Sequence, residues 1–155
     1  MFIPIESIFE WRNSLSPNKK LVVTNGCFDI FHAGHVQYLK EAANLGDLLL
    51  VGCDSDESVR HLKGSNRPIN PEEDRAAVLD ALEVVDYVTI FPKMGGRDFL
   101  AASRPHIYAK GGDYSVESLN ICERSVLKKV GAEISILNRK EGRSTSKIIE
   151  RISNP

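Results

Sequence analysis

Leu21-Val22-Val23-Thr24-Asn25-Gly26-Cys27-Phe28-Asp29-Ile30-Phe31-His32-Ala33-Gly34-His35-Val36-Gln37-Tyr38 reads as a strand, a loop and the start of a helix. The apolar run at 21–23 suits a strand buried on both faces, and Val36 to Ala43 carries helical periodicity. The loop between them brings two imidazoles, three residues apart, to a helix N-terminus. That end of a helix has free N–H groups and partial positive charge, so it suits an anion such as phosphate.

The same alternation continues outward. Strands are predicted at about 20–24, 47–53, 87–91, 106–110 and 133–137, with helical segments between them. Gly46 reads as the C′ stop of the first crossover helix. Asn70-Pro71-Glu72-Glu73 reads as a helix start, with Asn70 as cap, Pro71 at the first position and Glu73 completing a capping box. Strands joined by helices imply right-handed βαβ units. The expected fold is α/β: a Rossmann-like, doubly wound parallel sheet of five strands in three layers. Residues 1–155 form one domain, with 1–19 as an N-terminal helical extension. Ligands of such sheets bind beyond the C-terminal strand ends. The loops at 24–35, 54–70, 110–116 and 138–146 therefore share one rim.

The formal net charge of -1 gives no general attraction to nucleic acid or to an anionic membrane. Cys27, Cys53 and Cys122 are widely spaced and form no CxxC pair, so neither a disulfide framework nor a zinc ribbon is indicated. A reducing, cytoplasmic setting follows. No apolar run approaches the ~20 residues of a membrane helix, and Glu6 and Glu10 make the N-terminus unlike a signal peptide.

His32 and His35 are open, on residue types, to phosphate binding, metal binding or a structural role. A metal would need further ligands that the spacing does not supply, so no metal-ligating residues are assigned. Gly34 allows a ligand to approach the helix end closely. Asn25, Gly26, Cys27 and Phe28 match neither a P-loop nor GxGxxG, yet their backbone N–H groups can face a phosphate. Lys63, Arg67 and Arg75 either lie on a solvated face or clamp phosphorylated reactants. Arg143-Ser144-Thr145 leads a second helix, whose N-terminus would hold distal phosphates or merely be capped. Gly111-Gly112-Asp113-Tyr114, which follows Lys110, makes either a turn or room for a flat base.

Gly26-Cys27-Phe28-Asp29-Ile30-Phe31-His32-Ala33-Gly34-His35 resembles the GxFDxxHxGH signature of the HxGH nucleotidyltransferases. Arg139-Lys140-Glu141-Gly142-Arg143-Ser144-Thr145-Ser146 resembles their RxEGxST[ST] signature. The likeness spans about residues 20–152. Within the superfamily, Leu62-Lys63-Gly64, Arg67-Pro68-Ile69-Asn70-Pro71 and Lys110-Gly111-Gly112-Asp113-Tyr114 look most like the adenylyltransferases of bacterial ADP-heptose synthesis. The resemblance implies transfer of AMP from ATP to D-glycero-D-manno-heptose 1-phosphate with release of pyrophosphate. Mg²⁺ would accompany the triphosphate, the chain would form a homodimer, and a separate kinase would supply the sugar phosphate. His32, His35, Lys63 and Arg75 would be catalytic. Asn25, Gly26, Cys27, Phe28, Gly34, Gly111, Asp113, Arg143, Ser144 and Thr145 would join the histidines around the nucleotide. Asp29, Lys63 and Arg67 would face the sugar phosphate. Arg139 in RxEG is shared with the glycerol-3-phosphate cytidylyltransferases, the nearest rival; a nucleotide sensor without catalysis is the non-enzymatic alternative.

Overall fold

Leu21, Val22 and Val23 are wholly inaccessible to solvent, as a strand covered on both faces requires. They belong to β1 (Leu21–Gly26), the centre of one parallel sheet. The other strands are β2 (Leu48–Asp54), β3 (Tyr87–Phe91), β4 (Ile107–Gly111) and β5 (Glu133–Leu137), in the order β3-β2-β1-β4-β5. The computed structural model describes residues 1–92, 96–112, 115–137 and 145–153.

Helices α1 (Ile8–Ser14), α2 (Ala33–Ala43), α3 (Asp56–Lys63), α4 (Glu72–Asp80), α5 (Gly96–Ser103), α6 (Ile121–Val130) and α7 (Thr145–Ser153) connect or flank the strands. The period-2 alternation of the strands divides the core in two. Val22, Leu49 and Val51 pack with Leu39 of α2 and Leu79 of α4. Leu21, Val23, Leu50 and Tyr108 pack on the other face with Ile8, Phe99 and Leu127. The chain steps outward from β1 to β3 and then returns to place β4 beside β1. The crevice at the C-terminal ends of β1 and β4 is therefore the topological switch point. This is the expected Rossmann-like α/β architecture.

Three local expectations change. Asn70 does not cap α4; Pro71 holds that position and supplies no side-chain cap. Asn70 instead donates from Nδ2 to the backbone oxygen of Asp29 at 2.9 Å, a tertiary bond that competes with capping. Gly46 lies two residues beyond the cap of α2 at Asn44. It is small because of close packing: a Cβ there would come within 2.6 Å of the Lys20 carbonyl oxygen. The N-terminal extension is more than helix. The Ile3 N–H donates to the Val88 oxygen at 2.8 Å and the Val88 N–H to the Met1 oxygen at 3.0 Å, so residues 1–3 cover the outer edge of β3. Trp11 packs edge-on to Tyr87, with ring centroids 4.8 Å apart.

Candidate active site

A cavity of about 790 Å³ opens at the C-terminal edge of the sheet, bounded by residues from β1, β2 and β4 and from helices on both faces. One wall is the N-terminus of α2. His32 is its N-cap, in extended backbone conformation, and its Nδ1 accepts the Gly34 N–H at 3.1 Å. The His32 N–H in turn donates to Nδ1 of His35 at 3.3 Å. The two histidines thus form a reciprocal capping box from residues not usual in that role. Because each Nδ1 accepts, a neutral ring carries its proton on Nε2 and offers an N–H donor there. The rings stack with centroids 4.0 Å apart, and His35 also packs on Phe31 at 5.2 Å. His35 and Gly34 line the cavity; His32 stands behind His35 and is not on its wall.

The loop before α2 is clamped from beneath. Phe28 has a φ of 48°, unusual for a residue with a Cβ, and such conformations persist only where the surroundings fix them. On its N-terminal side, the Cys27 oxygen accepts from Arg75 Nη1 at 2.6 Å. On its C-terminal side, the buried Asp29 carboxylate accepts the N–H groups of Ile69 and Asn70, both at 2.9 Å from Oδ1, and pairs with Arg67 at 2.6 Å. Burial pushes the Asp29 carboxyl up, but these backbone hydrogen bonds and Arg67 outweigh it and hold the group below its ordinary value.

This corrects the placement of two basic residues. Arg75 is fully buried, and its guanidinium is used by the protein: Nε donates to the Asn70 oxygen at 2.9 Å, and Nη2 pairs with Asp56 at 2.8 Å. It braces the loop and does not line the cavity. Arg67 is likewise committed to Asp29 and is absent from the cavity wall. Asp29 does border the cavity, but its carboxylate is engaged by Arg67 and the 69–70 backbone. Replacing Asp29 by asparagine is expected to lower stability by about 2 kcal/mol at neutral pH, because charge-assisted hydrogen bonds are lost from a buried site. The folded carboxyl is more acidic than the unfolded one. Its contribution is therefore complete above about pH 4 and fades as pH falls through the lower, folded value. Urea titrations at pH 7 and pH 3 should show the gap between wild type and variant narrowing at pH 3; an unchanged gap overturns this account.

Of the remaining expected residues, Asn25, Gly26, Cys27, Phe28, Lys63, Gly111 and Thr145 line the cavity. Thr145, the first residue of α7, donates from Oγ1 to the Ile30 oxygen at 3.4 Å and so ties α7 to the β1–α2 loop. Asp113, Arg143 and Ser144 lie outside the described residues.

Sequence reading assigned no role to the wall formed by Asp54, Lys110 and Glu123. Lys110 Nζ donates to Asn25 Oδ1 at 2.9 Å, and the Tyr108 hydroxyl donates to the same oxygen at 2.5 Å. Asp54 lines the cavity beside Asn25. Burial raises the carboxyls of Asp54 and Glu123, opposed by the nearby Lys110, and the same burial lowers the Lys110 ammonium. The signal available in the sequence was positional: Asp54 is the last residue of β2 and Lys110 the last but one of β4, polar residues at the ends of otherwise apolar runs.

The cysteines are chemically unequal. Burial pushes the Cys53 thiol up to about 12 and raises Cys27 as well, whereas Cys122 is exposed. A maleimide reagent at pH 7.5 should label Cys122 first and leave Cys53 unmodified until the chain unfolds. Rapid labelling of Cys53 in the native protein would contradict this burial.

Comparison with known proteins agrees with this geometry. The cytidylyltransferase-like family model matches residues 23–151. The chain is 48% identical over 134 residues to the bifunctional protein HldE of Pelobacter propionicus, covering 86% of this chain and 27% of that one. It is 48% identical over 143 residues to HldE of Wolinella succinogenes, covering 92% of this chain and 28% of that protein. It thus spans little more than a quarter of the length of these relatives. Among solved structures, the lipopolysaccharide core biosynthesis protein of Thermoplasma volcanium superposes with a TM-score of 0.67 at 29% identity, over 81% of this chain and 100% of that one. A pantoate-beta-alanine ligase from Francisella tularensis shares the fold, with a TM-score of 0.66 at 14% identity, over 94% of this chain and 69% of that one. With the family match spanning the sheet, the histidine-capped helix and the start of α7, the chain belongs to the cytidylyltransferase-like family.

Proposed function

We propose that the protein transfers AMP from ATP to D-glycero-D-manno-heptose 1-phosphate, yielding ADP-heptose and pyrophosphate. The observation that carries the reaction type is the α2 N-terminus: the positive end of the helix dipole and the His35 imidazole, fixed by its Nδ1 bond, meet on the wall of a cavity large enough for two reactants. The heptose branch is supported by the motif resemblance, by the similarity to HldE proteins and by the likeness to a lipopolysaccharide core biosynthesis protein.

In this reading an oxygen of the sugar phosphate attacks the α-phosphorus of ATP. A new P–O bond forms, and the bond from the α-phosphorus to the α,β-bridging oxygen breaks. The chain supplies position and charge complementarity; no covalent enzyme intermediate is needed. His35 donates from Nε2 to the α-phosphate, and the α2 dipole favours the charge that accumulates there. His32 fixes and backs His35. Lys63, at the end of α3 and on the cavity wall, neutralises a reacting phosphate. Arg143, Ser144 and Thr145 grip the distal phosphates, and Gly111 and Asp113 border the base. Asp29 and Arg67 shape the sugar-phosphate side through the loop they lock.

Mg²⁺ would lower the charge of the triphosphate. Among the described residues no three His, Cys, Asp or Glu side chains converge as a metal-binding group. The ion would be held by phosphate oxygens and water. A sugar kinase supplies the acceptor, the protein acts as a homodimer, and the reaction runs in the cytoplasm, where three unpaired cysteines are compatible. No helix among the described residues is long and apolar enough to cross a membrane.

A pyrophosphate-release matrix tests the reading, with ATP and CTP each set against both anomers of heptose 1-phosphate and against glycerol 3-phosphate. ATP with one heptose 1-phosphate anomer should turn over fastest. Preference for CTP with glycerol 3-phosphate would replace the assignment by the cytidylyltransferase one, and ATP binding without pyrophosphate release would point to a sensor.

A further inference from the structure

We propose that Asn25, Asp54, Lys110 and Glu123 form the polyol end of the acceptor site, recognising the hydroxyl groups of the sugar and not the nucleoside. The inference rests on the proposed reaction and assigns a part of the cavity that the phosphate chemistry does not use.

The first argument is topological. Val23, Leu50 and Tyr108 face α1, α5 and α6, and strand alternation puts Asn25, Asp54 and Lys110 on that same side. The histidine-capped helix lies on the opposite face, where Leu39 of α2 packs with Val22. The cavity passes over the end of β1 and reaches both. A ligand with its phosphate at α2 therefore presents its other end to the cluster.

The second argument is chemical. The cluster mixes strong acceptors, the Asp54 and Glu123 carboxylates, with strong donors, the Lys110 ammonium and the Asn25 amide. A hydroxyl both donates and accepts, so adjacent hydroxyls match such an alternation. A purine or pyrimidine would instead need a flat face to stack on. Phe91, the aromatic residue on this wall, is 4% exposed and already stacks on Phe99, with centroids 5.1 Å apart and planes 8° apart.

The third argument is preorganisation. Asn25 is fixed by Tyr108 and Lys110 at once. Glu123 lies against the first residue of α5, where a Cβ on Gly96 would fall 2.5 Å from its Oε1. Burying several ionisable groups in a cavity wall costs stability relative to apolar packing, which marks the wall as functional.

The test uses calorimetry on the full chain, with a non-hydrolysable ATP analogue titrated first and heptose 1-phosphate second. Glu123→Gln and Lys110→Met should each weaken heptose 1-phosphate by about tenfold or more, the loss expected for a charged hydrogen bond, and leave the analogue within threefold of wild type. Gly96→Ala keeps every charge but displaces Glu123, and should weaken the sugar phosphate in the same direction. It also serves if Lys110→Met fails to fold, as a thermal melt would reveal. Unchanged sugar-phosphate affinity in the folded variants overturns the proposal. So does equal weakening of the ATP analogue, which would assign the wall to the nucleoside, and so does a wild type that binds no heptose 1-phosphate. If wild type binds the sugar phosphate through these residues yet releases no pyrophosphate from ATP, the reaction assignment fails and the polyol site stands. If pyrophosphate is released with a heptose 1-phosphate KM that the variants do not alter, the reaction stands and the polyol site fails.

Discussion

Replacing His35 by alanine is expected to lower kcat for pyrophosphate release by about 10²–10³, with the fold retained. That is the usual cost of removing one preorganised donor from a developing oxyanion. His35 is on the cavity wall, and its Nδ1 accepts the His32 N–H, so a neutral ring carries its proton on Nε2 as a donor. His32 contributes twice: it accepts the Gly34 N–H as N-cap of α2, and its ring stacks on His35. Alanine at 32 would remove both and cost about 1 kcal/mol in capping alone. Asparagine at 32 separates the roles, because it restores a cap acceptor without an imidazole. His32→Asn should melt near the wild-type temperature yet turn over well below it, whereas His32→Ala should lose both. Near-normal turnover in folded His35→Ala would remove the histidine from the mechanism and leave the helix N-terminus as the main charge stabiliser.

The residues that were legible in advance share a physical character. Leu21–Val23 and Leu48–Val51 announce buried parallel strands because helices on both faces leave no polar positions. His32, Gly34 and His35 stand out because such residues seldom gather at the start of a helix without use. Arg75 and Arg67 were harder, because a basic residue near a candidate phosphate site looks the same whether it serves the ligand or the loop. A partial signal existed for Arg75: it adjoins Ala76 and lies four residues before Leu79, both buried, so it is on the inward stripe of α4. Its partners, the carbonyls of Cys27 and Asn70, are backbone groups that no side-chain pattern exposes. Lys110 was hidden for a related reason. Its placement opposite Asp54 and Glu123 depends on β4 returning beside β1 and on the seating of α6, both set by tertiary packing.

Arg75 accordingly carries the largest expected effect on stability. Removing its side chain leaves the carbonyls of Cys27 and Asn70 without this donor and the Asp56 carboxylate with only its 4.0 Å contact to Arg60. Breaking a buried pair in this way typically costs about 3–5 kcal/mol. The lower end applies here, because the Asp56 side chain is 24% exposed and regains water. Arg75→Met should therefore lose about 3 kcal/mol in urea denaturation, and Arg75→Lys should recover part of it, since an ammonium can keep the charge but cannot reach all the acceptors. Activity should fall with the loop. Phe28 holds its left-handed backbone between the Cys27 carbonyl that Arg75 binds and the Asp29 carboxylate, so releasing one side lets the β1–α2 segment relax away from the geometry that aims His35. The two possible roles diverge in one measurement. A bracing residue lowers stability and turnover together, and Arg75→Lys restores both in step. A residue that touches phosphate would leave Arg75→Met close to wild type in urea but deficient in ATP affinity, and that result would return Arg75 to the catalytic set.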